Sequence, residues 1–353
     1  MKTLYFSEIF LSWYYANCRG LPWRSNINPY NVWVAEIIFQ QTRIYQGLAY
    51  YERFIERFPN VGLLASAHED EVLKIWQGLG YYSRATNLHS TAKKIVFELN
   101  GIFPSSFIEI KKLKGIGDYT AAAIASIAFN ERIPAIDGNV NRVLSRLFAI
   151  EEPVDTSGGK DKILKLAEKL IDPLHPGDFN QAMMEFGALQ CTPRKPNCKV
   201  CPFSKDCRAH TMDRVSFYPR KSKKTKISTR YFNYFIIDKG EAILFNKRRD
   251  SDIWKNLYDF PMIETTERKS AGEFINSDHW NKFFNHKKVT ILNVSNEIAH
   301  QLSHQKIVAR FYHISTEEEL KLDNLYFTIH KKDIFAIPVP KMIETMLKGL
   351  FVD

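Results

Sequence analysis

The stretch from Leu113 to Phe148 reads LKGIGDYTAAAIASIAFNERIPAIDGNVNRVLSRLF. Gly115 and Gly117 bracket one apolar residue, Ile116, and the spacing that follows predicts a helix over 120–129. Two glycines in such a turn permit a tight reversal and a close backbone approach, so the amides of the turn and of the helix start can bind a phosphate oxygen. Taken alone, the pattern fits an ordinary turn between helices better than a phosphate site. Twenty residues past Gly117 stands Asp137. Val140, Val143, Leu144 and Leu147 give the next helix its buried face, which makes Asp137 the expected N-cap. A carboxylate there faces the positive end of the helix dipole, so its pKa is expected to fall.

Further along, CTPRKPNCKVCPFSKDC (residues 191–207) holds four of the five cysteines. A chain of 353 residues, 45% hydrophobic, can bury large cores without covalent staples, so disulfides are not needed. On the residues alone a zinc site and an iron–sulfur cluster both remain open, and Cys18 reads as an inert thiol. The net charge of +10 suits a polyanionic partner and equally a solvated basic surface.

Helical spacing recurs at 29–58, 71–79, 88–99, 140–148, 163–171 and 179–189. The start of the chain places Phe6, Ile9, Phe10, Trp13 and Tyr14 on one face, an amphipathic helix rather than a signal peptide. No apolar run approaches the ~20 residues of a membrane span, so a soluble, cytoplasmic protein in a reducing compartment is expected. Residues 213–229 are basic and contain a proline, which predicts an exposed linker. Beyond it YFNYFIID, EAILFNKR, VTILNV and KIVARFYHI are rich in β-branched and aromatic residues, with DKG as a hairpin turn. Glu36 lies in the apolar run VWVAEIIFQ: buried there its pKa would rise and leave it protonated, unless its head turns to the surface.

The G-x-G hairpin, the aspartate opening the next helix and the spacing C-x6-C-x2-C-x5-C together resemble the helix-hairpin-helix DNA glycosylase superfamily. Its iron–sulfur branch includes endonuclease III and the MutY-type adenine glycosylases. LPWR (21–24), PYNVWVAEIIFQQTRI (29–44) and QGLGYYSRATNLH (77–89) are similar to the MutY-type pattern. The resemblance implies a multi-domain chain. An all-α helix-hairpin-helix glycosylase domain (1–212) carries an iron–sulfur cluster loop, a basic linker follows (213–229), and an α+β Nudix-like domain (230–353) ends it. It also implies a 4Fe–4S cluster on Cys191, Cys198, Cys201 and Cys207, and DNA phosphates bound at Gly115 and Gly117.

By the same resemblance Glu36 is the acid that protonates adenine and Asp137 the carboxylate that stabilises the oxocarbenium-like sugar, with Tyr119 and Asn139 positioning them. Asp137 should stay charged while Glu36 is neutral. Arg24, Gln181 and Glu185 would surround the flipped adenine, and Gln41 and Tyr81 would form a wedge beside the mispair. In bifunctional relatives the hairpin carries a nucleophilic lysine; here Tyr119 stands in its place, which implies a monofunctional enzyme. DIWKNLYDFP (252–261) is similar to a Nudix-domain segment, yet no magnesium-binding Nudix box lies between Pro261 and Asn296, so recognition without hydrolysis is expected. In AHQLSHQKIVARF, Ser303 and His304 match the family's 8-oxoguanine-reading loop, with Leu302 where relatives carry phenylalanine. The implied partner of this monomer is duplex DNA with adenine opposite 8-oxoguanine or guanine. An endonuclease III-like glycosylase and lyase on oxidised pyrimidines, argued against by Tyr119 and the extra domain, and a non-catalytic DNA-binding or redox module, argued against by Glu36 with Asp137, are the other readings.

Overall fold

A computed structural model describes residues 3–222, 227–249, 252–316 and 325–351. Its helices are α1 (Thr3–Asn17), α2 (Pro22–Ser25), α3 (Pro29–Ile38), α4 (Ile44–Arg57), α5 (Val61–Ser66), α6 (Glu69–Trp76), α7 (Ser83–Glu98) and α8 (Phe107–Lys111). They continue as α9 (Asp118–Phe129), α10 (Gly138–Phe148), α11 (Ser157–Leu170), α12 (Pro176–Leu189), α13 (Arg208–Thr211), α14 (Ala271–Ile275), α15 (Asp278–Phe283) and α16 (Lys341–Phe351). The strands are β1 (Ser228–Asp238), β2 (Ala242–Lys247), β3 (Tyr258–Asp259), β4 (Met262–Thr265), β5 (Thr290–Val294), β6 (Ile298–Gln301), β7 (Gln305–Ser315) and β8 (Tyr326–His330). The chain divides into two compact units, residues 1–66 with 87–223, and residues 67–86 with 224–353.

The helical unit is organised around α9. Residues 120–126 are buried in an unbroken run, because the alanines at 121–123 and 125 let α3, α8 and α12 pack close on several sides. A second core joins α1, α10 and α12: Phe6 and Phe10 meet Phe186 and Phe203, and Val143, Leu144 and Leu147 close the other side. The expected helix over 29–58 is broken. Residues 39–43 form turns between α3 and α4, with Gln41 in the left-handed region at φ 58°.

The expected linker is also partly corrected. Tyr218 is buried in the helical core, Arg146 binds the carbonyls of Val215 and Tyr218, and Asp155 caps Ser222. Arg214 and Arg220 lie over the Phe217 ring within the segment, and the Tyr218 side chain and these backbone bonds tie it to the helices, while Phe217, Arg220, Lys221 and Ser222 are exposed as expected of a linker. Residues 223–226 of that linker lie outside the described residues.

In the second unit an eight-stranded sheet runs β3-β2-β1-β7-β5, with β4 on β1, β6 on β7 and β8 on β2. Only β1 and β7 pair in parallel among these. Alternation along β1 explains its burial on both faces. Phe232, Tyr234 and Ile236 join Phe311 and Ile343 on one face, while Phe235 and Ile237 join Trp280 and Tyr312 on the other. Gly240, at φ 79°, turns the chain from β1 into β2 as the DKG pattern predicts.

Candidate active site and cysteine loop

α9 starts at a hairpin whose geometry needs glycine at one of its two positions. Gly115 sits at φ 81°, and a Cβ there would meet the Asn87 Cβ at 2.7 Å. Gly117 caps α9 in extended backbone with open space beside it, so it is free of strain and leaves the first α9 amides accessible. One turn into α9, the Tyr119 hydroxyl donates to Met184 Sδ at 3.1 Å and also bonds the Glu36 carboxyl. Burial, with Glu36 and Asp137 nearby, holds this phenol well above its usual pKa. It therefore remains a proton donor at neutral pH.

Glu36 projects from α3, whose neighbouring residues are almost all buried. The residue keeps part of its surface open, yet its carboxyl is desolvated enough that its pKa is pushed up to about 7. The Tyr119 hydrogen bond opposes that rise, Asp137 adds to it and Arg24 opposes it. The buried alternative is thus the one adopted.

Asp137 caps α10, accepting from the Val140 amide at 2.7 Å and the Asn139 amide group at 2.6 Å. Its pKa is raised rather than lowered, contrary to the expectation from the helix dipole. Desolvation outweighs the bonds from Val140 and Asn139 and the field of Arg142. Glu36 and Asp137 therefore share one electrostatic environment, and both resist carrying charge.

Arg24 donates to Gln181 at 3.1 Å and to Glu185 at 2.9 Å. Glu185 is buried, and burial raises its pKa, but hydrogen bonds from Arg19 and Arg24 hold it down at about 2. Its two oxygens are engaged by two guanidinium groups, so Glu185 anchors the arginines, and Gln181, itself buried, accepts from Arg24. Gln41 and Tyr81 are each exposed and each hold left-handed backbone, a conformation that costs a non-glycine residue energy and concentrates at functional loops.

Cys191, Cys198, Cys201 and Cys207 line one pocket of about 370 Å³, its open mouth included, with Arg146 and Phe186. Among the described residues no three metal-ligating side chains converge on a single point. Four thiols around a shared cavity suit a cluster in which each iron takes one thiolate better than a single tetrahedral zinc with Zn–S bonds of ~2.3 Å. Burial pushes the Cys201 thiol up to about 12 and raises Cys198 and Cys207, so holding these sulfurs as thiolates requires bound positive charge.

Sequence reasoning missed the residues that support these groups. Arg142 bonds the Asn139 side chain at 2.8 Å, the Gly187 carbonyl at 2.6 Å and the Cys191 carbonyl at 2.8 Å. Arg146 holds the carbonyls of Thr192 and Pro193. Gly187 lets α12 approach: a Cβ there would meet the Asn139 Cβ at 2.6 Å. The available signal was two arginines four residues apart within the apolar stripe of α10.

In the second unit Leu302, Ser303 and His304 form the turn between β6 and β7, where Ser303 and His304 are exposed and Leu302 packs partly on the core. The Tyr81 and Ser303 hydroxyls are hydrogen-bonded to each other.

Residues 34–173 match the HhH-GPD superfamily base excision DNA repair protein family, and residues 233–349 match the NUDIX domain. A solved thermostable thymine-DNA glycosylase shares 27% identity, covering 60% of this chain and 97% of its own, at a TM-score of 0.55. An endonuclease III seen in a DNA complex, 22% identical and covering 60% of this chain and 98% of its own at 0.51, shares the fold. Helical unit, hairpin and matched families define the class, a DNA-binding glycosylase of base excision repair with a Nudix-like second domain. The adenine DNA glycosylase of Buchnera aphidicola from Acyrthosiphon pisum is 34% identical over 99% of this chain and 100% of its own length. That of the Baizongia pistaciae strain is 36% identical over 86% and 84%, and the human enzyme 44% identical over 56% and 38%. The chain belongs to the adenine DNA glycosylase family.

Proposed function

We propose that this protein hydrolyses the N-glycosidic bond of adenine opposite 8-oxoguanine or guanine in duplex DNA, as a monofunctional, monomeric enzyme of the cytoplasm acting at the nucleoid. The observation that carries this is Glu36, a carboxyl with a pKa of about 7 in hydrogen-bond contact with Tyr119 and within the field of Asp137. Such a group delivers a proton near neutral pH. Glu36 gives its proton to adenine N7 while the N9–C1′ bond breaks and its electron pair leaves with the base. Asp137, whose charged form the bonds from Val140 and Asn139 and the field of Arg142 favour against burial, stabilises the oxocarbenium-like sugar once positive charge develops there. Water then adds to C1′ and returns a proton to Glu36. Asn139 holds Asp137 through its 2.6 Å bond, and Arg24 with Gln181 faces the extruded base.

Tyr119 supports the monofunctional course, since a phenol has no amine with which to form a Schiff base. Cys191, Cys198, Cys201 and Cys207 are the residues that would hold a 4Fe–4S cluster. When bound, the cluster cross-links this loop and fixes the exposed Arg194, Lys195 and Lys199 for contact with backbone phosphates. Gly115 and Gly117 at the α9 start offer a second phosphate contact, Gln41 and Tyr81 the wedge, and Ser303 and His304 the contacts to the opposite base.

A single-turnover assay tests the proposal. Adenine should be released from duplexes pairing it with 8-oxoguanine and with guanine, strand breaks should appear only after alkali, and borohydride should trap no complex. Release of oxidised pyrimidine with efficient trapping would overturn it.

A further inference from the structure

The segment 67–86 groups with residues 224–353 rather than with the helices that flank it in sequence. Polar clips explain why. At the start of α6, Asp70 accepts from Lys247 at 2.6 Å and Tyr258 at 2.8 Å, and Glu69 accepts from Asn256 at 3.1 Å. Toward its end Lys74 donates to the Ile337 carbonyl at 3.1 Å, and Gln77 accepts from the Val339 amide at 3.2 Å. The loop that follows is held in turn: Trp76 donates to the Gly80 carbonyl at 3.1 Å, and Arg84 binds that carbonyl at 3.2 Å and lies over the Tyr81 ring. Tyr81 thereby reaches Ser303.

We propose that Asp70 and Gln77 are positioning residues that build the 67–86 segment into the Nudix-like unit, so that Tyr81 and Ser303 form one composite reader of the base opposite adenine. The inference rests on the proposed function, in which both residues meet that base pair. A base-edge contact discriminates only if its donor is fixed before binding, and two side chains hydrogen-bonded to each other are ordered together. Opposite-base preference then depends on residues that touch no DNA.

The test uses the full-length protein, with Asp70→Lys, Lys247→Asp, the two combined, Gln77→Leu and Tyr258→Phe. Single-turnover rates are measured with enzyme saturating, for adenine opposite 8-oxoguanine and opposite guanine. Each charge-reversed single variant places like charges face to face and should lower the 8-oxoguanine preference by about tenfold, the scale of a lost base contact, with little change opposite guanine. The combined variant restores an opposite pair and should regain most of the preference. Gln77→Leu should shift the ratio in the same direction. Tyr258→Phe removes one hydroxyl from the Asp70 clip, and its smaller loss of preference decides the matter if the charge-reversed singles fail to fold. Equal losses on both duplexes, a combined variant as poor as either single one, or an unmoved ratio in Tyr258→Phe and Gln77→Leu would overturn the composite reader. An unaltered protein that releases adenine from neither duplex would instead overturn the proposed function.

Discussion

The two units place the side chains proposed to function in opposite physical settings. In the helical unit Glu36, Tyr119 and Asp137 are desolvated, bound to their neighbours and electrostatically coupled, so their protonation is set by the surrounding fold. In the second unit Ser303 and His304 stand on an exposed turn whose register is fixed by long-range pairing of β1 and β7. Desolvation is what tunes a carboxyl for proton transfer, whereas a base reader needs an open edge and a rigid mount. Changes in the first setting should cost rate, and changes in the second should cost discrimination.

The largest effect belongs to Glu36. Glu36→Gln should lower the single-turnover rate by about 10²–10⁴-fold while leaving duplex affinity in place, since the amide keeps the shape and loses the transferable proton. Turnover close to that of the unaltered enzyme would break the contrast between the units. The rate of the unaltered enzyme should fall as pH rises through about 7, where Glu36 loses its proton. Stability carries the same sign. The folded pKa of about 7 lies above the ordinary 4.5, so the folded state binds a proton that the unfolded chain has released. That contribution is fully present below about pH 4.5 and is lost as pH rises through about 7. Glu36→Gln should therefore melt higher than the unaltered protein at pH 8 and show no such gain at pH 4.

Next comes the packing beneath the cysteine loop. Phe203 is fully buried against Phe6, Phe10 and Phe186, and Phe203→Ala should cost ~3–5 kcal/mol by the usual scale of aromatic truncation. Chemical denaturation checks the loss, and iron content after anaerobic purification should fall with it. Gly187→Ala is smaller and more specific. Its Cβ meets Asn139, so overpacking of ~1–3 kcal/mol should appear as slower catalysis, with the 8-oxoguanine to guanine ratio unchanged.

What the sequence made legible follows the same divide. The G-x-G turn, the Asp137 cap and the cysteine spacing are local patterns, and the structure displays the turn and the cap where the pattern puts them. Strands β1, β2, β5 and β7 were readable from β-branched and aromatic runs, whereas β3, β4 and β6 have four residues or fewer and exist through their pairing, and β8, as short as β5, was not picked out. The direction of the Asp137 pKa was not readable, because desolvation depends on what packs over the helix start. The incorporation of 67–86 into the second unit was not readable either. It rests on partners such as Lys247, Ile337 and Val339, separated from it by more of the chain than any spacing rule spans.

The smallest effect sharpens the comparison most. Ser303→Ala with His304→Ala removes both exposed groups of the β6–β7 turn without touching the core, where Leu302 packs. Contacts to one base edge are worth ~1–3 kcal/mol, so the preference for 8-oxoguanine over guanine should fall by about tenfold to a hundredfold. The rate opposite guanine, which the proposed mechanism assigns to Glu36 and Asp137, should stay nearly constant. If the second unit contributed only lysine contacts to phosphates, its loss would weaken both duplexes equally and make the salt slope smaller, with the ratio unchanged, because phosphate contacts release counterions and base contacts do not. Measuring the ratio at two salt concentrations separates these outcomes. A ratio that the double variant leaves unmoved at both would remove Ser303 and His304 as readers and leave discrimination to the Tyr81 side of the loop.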